Sequence, residues 1–223
     1  MTITGIQPAK RASLAIEVAN SIRQGIFDGV FQVGDRLGEI EIAQQLDVSR
    51  GPVREALVQL RTEGIVAMEL HRGASVVTLS LDDIAQLTSL RTTLESFAIT
   101  LAIQNATPDD LESLHRVTVE MESAIESGDL HRLSQLDIEF HDGIYAAAKH
   151  DRLTYAWGTI RSQMLLFLLT RATANNDYLT IALDEHRDLI RVIREGDEEV
   201  ARELITVHVR GAYDRLRVSL ETS

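Results

Sequence analysis

The chain has 223 residues, 44% of them hydrophobic and 25% charged, which is ordinary for a globular protein and long enough for two domains. It contains no cysteine, so disulfides and thiol catalysis are excluded. The formal charge of −12 is unevenly spread, with 8 basic and 9 acidic residues up to Leu79 and 14 and 25 beyond it. DNA would repel the acidic C-terminal part but not the nearly neutral first part. No apolar run approaches the roughly 20 residues that span a bilayer, and no signal-peptide core opens the chain, so a cytoplasmic protein with no membrane partner is expected.

Leu14, Val18, Ile22 and Ile26 recur every four residues, so the spacing predicts an amphipathic helix from Ser13 to Phe27. Gly29 and Gly34-Asp35 then break the chain. A second helix is predicted over about Glu39 to Leu46, with Ile42 and Ala43 inward. Asp47-Val48-Ser49 makes a tight turn, Ser49 caps a third helix running to about Glu63, and Gly64 closes it. Two apolar runs, Ile65 to Leu70 and Ala74 to Leu79, flank His71-Arg72-Gly73 and read as a hairpin. This order is that of a winged helix-turn-helix. On the third helix Arg50, Arg54 and Arg61 share one face, suited to phosphates and base edges, while Val53, Leu57 and Leu60 hold the other to the core. Spacing alone also fits a plain solvated face, since Glu55 and Glu63 lie on the same helix.

After Ser80 the pattern is helical throughout. Ser80 with Asp83 and Thr107 with Asp110 have capping-box spacing, and Asp129, Asp151 and Asp197 mark three more helix starts. Helices are predicted at 81–105, 108–127, 129–149, 152–174, 179–195 and 197–219, an all-α six-helix bundle whose one polar loop is Asn175-Asn176-Asp177. The fold class is thus mainly α, with a winged helix-turn-helix over 10–79 and the bundle over 80–221.

Polar residues interrupt the apolar stripes of that bundle. Leu133, Asp137, Phe140, His141, Ile144 and Ala148 form one stripe, in which Asp137 and His141 sit side by side. Ala182, His186, Leu189 and Ile193 form a second, and Leu204, His208 and Gly211 a third. His186 and His208 lie roughly 15 and 18 Å from the Gly196 turn, so an antiparallel helix pair makes them neighbours. Three imidazoles and a carboxylate suit a divalent metal, zinc first, with nickel or manganese also able to bind. His71, His115, His131 and His150 fall in the wing, on polar faces or at a helix end and read as ordinary histidines. Arg91 interrupts the stripe Ile84, Leu87, Leu94, Ala98, Leu101; it either clamps a small carboxylate metabolite or pairs with Glu95. Arg161, near Trp157 and Leu165, is a second effector-binding candidate.

The stretch Val48-Ser49-Arg50-Gly51-Pro52-Val53-Arg54-Glu55-Ala56-Leu57, followed by Leu60, Glu63-Gly64-Ile65-Val66 and Arg72-Gly73-Ala74, resembles the DNA-binding domain of the GntR family of bacterial regulators. The resemblance implies that Ser49, Arg50, Gly51 and Arg54 face a double-stranded DNA operator and that Arg72 and Gly73 form the wing tip. Arg36 is a phosphate-contact candidate. Asp47 stands where the family usually has glycine, and Gly38 where a Ser, Asn or Pro often precedes the helix. Asp137 to His141, Glu185-His186, Gly196-Asp197 and His208 resemble the FCD effector domain of the FadR-type branch, which implies that Asp137, His141, His186 and His208 hold a metal that in turn binds the effector. The expected function is a metabolite-responsive regulator, a homodimer on a palindromic operator and not an enzyme. Two other readings remain: a metal-dependent hydrolase tethered to DNA, though no base or nucleophile is well placed, and a purely structural metal.

Overall fold

The computed structural model describes residues 10–70, 72–172 and 178–221. His71 and the Asn175-Asn176-Asp177 loop lie outside the described residues. The chain divides into two compact units, Met1–Thr78 and Leu79–Ser223.

In the first unit α1 (Lys10–Phe27), α2 (Glu39–Gln45) and α3 (Arg50–Thr62) precede a hairpin of β2 (Val66–Glu69) and β3 (Gly73–Val76). The core is drawn from all of them: Val18, Ile22, Ile26, Ile42, Val53, Leu57, Leu60, Val66 and Val76 are buried, while Leu14 is 36% exposed and stands outside the expected stripe. Two details depart from expectation. A short strand β1 (Arg36–Leu37) pairs antiparallel with β3, giving the sheet order β1-β3-β2. Ser49 precedes α3 with extended backbone but makes no side-chain cap bond. Gly38, lacking a side chain, leaves α2 uncapped in the same way. Asp47 takes a left-handed φ of 52° between α2 and α3, so aspartate serves there in glycine's place.

The second unit is helical throughout its described residues, in seven helices rather than six: α4 (Leu81–Asn105), α5 (Pro108–Ser127), α6 (Leu130–Ala147), α7 (Asp151–Gly158), α8 (Arg161–Ala172), α9 (Tyr178–Glu195) and α10 (Glu198–Glu221). The expected helix over 152–174 is broken at Thr159 and Ile160. Their N–H groups bond to Ala156 and Trp157, three residues back, before the four-residue pattern resumes at Met164. Asp142 on α6 pins both sides of the break, accepting from Trp157 Nε1 at 2.6 Å and from Arg161 Nη2 at 2.6 Å.

Caps set most of the other boundaries. Ser80/Asp83 and Thr107/Asp110 form complete capping boxes, and Asp129 accepts from the Arg132 N–H. At α7 the cap is His150, whose ring accepts from the Leu153 N–H, and not Asp151. Helices α5 and α6 approach so closely that a Cβ on Gly143 would lie 2.6 Å from Leu114 Cδ2. Met121, Ala124, Leu133, Leu136 and Leu183 join α5, α6 and α9 in one cluster.

A buried histidine–carboxylate cluster and a groove of arginines

The inward face of α6 is the one its sequence predicts: Leu133, Asp137, Phe140, His141, Ile144 and Ala148 are all at most 2% exposed. His186 from α9 is fully buried and His208 from α10 is 5% exposed. The buried stripe of α10 is Ala201, Ile205, His208, Val209, Ala212 and Leu216; Leu204 and Gly211, expected beside His208, are only half-buried. On α4 the buried set includes Thr88, Arg91 and Glu95, while Leu94 and Leu101 are half-buried.

Asp137, His141, His186 and His208 come together, each offering a ligand atom within 4.8 Å of the others. His141 Nε2 and His208 Nε2 are 3.2 Å apart, His186 Nε2 lies 3.5 Å from Asp137 Oδ1, and His141 Nε2 lies 3.7 Å from Asp137 Oδ2. Two donors each about 2.1 Å from one ion are separated by roughly 3.0–3.4 Å at octahedral to tetrahedral angles, so these spacings fit a metal after shifts of a few tenths of an ångström.

The outer nitrogens strengthen that fit. His141 Nδ1 is 2.8 Å from Glu95 Oε2, and His208 Nδ1 is 2.7 Å from Glu185 Oε2. A carboxylate partner keeps the proton on Nδ1, which leaves Nε2 with a bare lone pair. Two such lone pairs facing each other beside a carboxylate repel unless a cation lies between them. Burial lowers the His141 pKa, as does Arg91, against the opposite pull of Glu95. His141 is therefore neutral near pH 7, the form that ligates. Burial opposes ionisation of Asp137, yet electrostatic attraction to its neighbours His186, His141 and Arg91 outweighs it and holds the pKa below the ordinary value.

Arg91 does form the expected pair with Glu95, Nε to Oε1 at 2.6 Å, but both groups are almost wholly buried and the pair belongs to the cluster. Arg91 Nη2 points elsewhere: it is 3.8 Å from Asp137 Oδ2 and has no hydrogen-bond partner. Burial likewise opposes ionisation of Glu95, but Arg91 and His141 lower its pKa to about 2. The Tyr145 hydroxyl is another buried group without a hydrogen-bond partner; burial, then Glu95, raise its pKa. Its ring stacks on Trp157 at 5.0 Å, and Arg91 Cζ lies 5.9 Å from the Trp157 ring. Arg161 is engaged elsewhere, its guanidinium held on Asp142 by contacts of 2.6 to 3.0 Å. Sequence reasoning gave Glu95 and Glu185 no role at this cluster and missed Tyr145. The usable signal was spacing: Glu95 follows Arg91 by four residues and Tyr145 follows His141 by four.

In the first unit Arg36, Glu39, Arg50, Arg54 and Gly73 line one concave surface. Glu39 Oε2 lies 3.5 Å from Arg50 Nη2 and 3.1 Å from Arg54 Nη2, while both arginines remain about 60% exposed. Hydrogen bonds from Arg54 lower the Glu39 pKa despite slight burial. Ser49 and Gly51 are exposed at the start of α3. Arg72 is 83% exposed and 3.3 Å from Glu69, and Gly73 takes a φ of 84° that only glycine adopts readily. Arg61 is exposed in the last turn of α3.

These two sets of residues coincide with two known domains. Residues 14–76 match the DNA-binding domain described as bacterial regulatory proteins, gntR family, and residues 86–211 match the FCD domain. The gluconate operon transcriptional repressor of Bacillus subtilis (strain 168) is 31% identical over 199 residues, covering 86% of this chain and 82% of that protein. Among solved structures, E. coli McbR/YncC aligns with a TM-score of 0.81 at 24% identity, covering 93% of this chain and 98% of its own. A GntR transcriptional regulator from Rhodococcus sp. RHA1 aligns at 0.79 and 25% identity, covering 92% and 97%. These likenesses support regulation of transcription and give no support to a tethered hydrolase. The chain belongs to the GntR family of bacterial transcriptional regulators, with a winged helix-turn-helix for DNA and an FCD domain as its effector-binding unit.

Proposed function

We propose that this regulator senses a small organic acid through a divalent metal held by Asp137, His141, His186 and His208, zinc first, with nickel or manganese as alternatives. The observation that carries the proposal is the convergence of these four buried residues on one point, with His141 Nε2 and His208 Nε2 3.2 Å apart beside the Asp137 carboxylate. The metal would act as a Lewis acid that draws in a carboxylate.

Charge balance supports an anionic effector. Arg91 set against Glu95 and Asp137 leaves one negative charge in the buried cluster. A dication turns that into one positive charge, and a carboxylate neutralises it; buried uncompensated charge costs several kcal/mol. Arg91 Nη2 and the Tyr145 hydroxyl are two buried groups without a hydrogen-bond partner, and they would receive the effector's oxygens. The relative named for a gluconate operon makes a hydroxy acid a reasonable first ligand to try. Arg161, locked on Asp142, would act by holding Trp157 and the α7–α8 break in place.

DNA is bound by the first unit, with Arg50 and Arg54 on bases and phosphates, Ser49, Gly51 and Arg36 on the backbone, and Arg72 and Gly73 in the minor groove. Two copies would read a palindromic operator as a cytoplasmic homodimer. The test is native mass spectrometry of purified protein before and after chelation. Co-purifying metal and an organic acid, both lost on chelation, support the proposal, and an acid retained without metal contradicts it.

A further inference from the structure

Two of the three clustered histidines are backed by the same sequence of groups, histidine to carboxylate to arginine. His141 is backed by Glu95 and Arg91, sealed at no more than 1% exposure. His208 is backed by Glu185 and Arg215, but this second arm reaches the edge of the bundle, where their side chains are 22% and 27% exposed. Glu185 Oε2 accepts from His208 Nδ1 at 2.7 Å, and Arg215 Nη1 donates to Glu185 Oε1 at 3.2 Å. Arg215 Nη2 lies 3.5 Å from Oε2, so the guanidinium spans both oxygens and fixes the carboxylate's orientation.

The backbone makes room for this arm. Arg215 follows His208 by seven residues, two turns of α10, and its side chain must fold back along the helix to reach Glu185 on α9. Gly211 lies between them on the same face. A Cβ there would stand 3.0 Å from Arg215 Nη1 and 3.4 Å from Cζ, in the lane the guanidinium occupies. Glycine in mid-helix is otherwise unfavourable, so its presence there calls for a reason.

We infer that Glu185 and Arg215, with Gly211 clearing their path, are positioning residues that set the affinity of the metal site from the bundle's edge. Resting on the metal-site reading above, the arm holds His208 in the Nδ1–H tautomer, aims Nε2 at the ion and ties α9 to α10. It differs from the inner arm in position: Arg91 and Glu95 are sealed in the core, whereas Arg215 and Glu185 reach the bundle's edge.

The test measures Zn²⁺ affinity of the full chain by competition with a chromophoric chelator, alongside the melting temperature of the metal-free protein. Glu185→Ala is expected to weaken Zn²⁺ binding by about 10–100-fold, the usual effect of losing a ligand's outer partner. Arg215→Met is expected to give a smaller loss, partly restored in Arg215→Lys. Gly211→Ala is the decisive variant. Alanine favours helix more than glycine, so the metal-free melting temperature holds or rises while Zn²⁺ affinity falls. A purely structural role would move both in the same direction. In ¹⁵N spectra of the metal-free protein, His208 should lose its Nδ1–H signature in Glu185→Ala and keep it in wild type. Zn²⁺ affinities within twofold of wild type in all these variants overturn the inference while leaving the metal site intact. Absence of Zn²⁺ uptake by wild type overturns the metal-site reading and the arm with it.

Discussion

His141 and His208 each turn Nδ1 to a carboxylate and Nε2 to the other histidine, an arrangement that suits a cation between them. Metal present at about 100 times its Kd should stabilise the native state by about 2.7 kcal/mol, read as a rise in Tm. His141→Ala should abolish that rise. Arg91 makes a different prediction. Arg91→Met leaves Glu95 buried without its partner and should destabilise the protein by about 3–5 kcal/mol in urea unfolding, whereas Arg91→Met combined with Glu95→Met should cost much less. A loss in the double variant equal to the sum of the Arg91→Met and Glu95→Met losses would show that the pair is not coupled. The four clustered residues Asp137, His141, His186 and His208 were readable in the sequence because each interrupts an apolar stripe of its own helix. Glu95 was readable only as the neighbour of Arg91. Its contact with His141 depends on how α4 packs on α6, and no periodicity within one helix contains that.

Helix starts were legible wherever a side chain caps its own helix. Ser80, Thr107 and Asp129 do so, and their boxes are local by construction. Thr107→Ala should cost about 1 kcal/mol at neutral pH. Its partner Asp110 also binds Lys149 at 2.8 Å, and the Lys149 and Thr107 hydrogen bonds lower its pKa from 3.8 to about 2. A folded-state pKa below the unfolded one gives stability that is present above about pH 3.8 and lost as pH falls toward about 2. The Tm difference between wild type and Lys149→Met should therefore narrow across that window. It is small at any pH, about 0.2–1 kcal/mol, because the pair is partly exposed. The break between α7 and α8 was not legible. Gly158 is a weak signal by itself, and the break is held by Asp142, distant in sequence on α6.

At the scale of the whole chain the charge distribution separated the two tasks before any coordinates did, since the acidity lies almost wholly beyond Leu79. The recognition helix follows the same logic. Arg50 and Arg54 lie on a groove shared with Arg36 and Gly73, and the short strand carrying Arg36, formed by pairing with the wing, escaped the sequence. Arg50→Ala and Arg54→Ala should each cost about 1–3 kcal/mol of operator binding if they read bases; a residue on phosphate alone should instead lower the salt slope by about one.

On the proposed function, an organic acid bound at the metal changes how the winged helix-turn-helix holds DNA. It is tested most directly by fluorescence anisotropy of the protein's own upstream DNA at fixed salt, titrated with organic acids. Metal-loaded wild type should show at least one acid that changes operator affinity, by about 5–150-fold as in typical allosteric coupling, and Asp137→Asn should show none. A shift of equal size in metal-free protein or in Asp137→Asn would contradict the account.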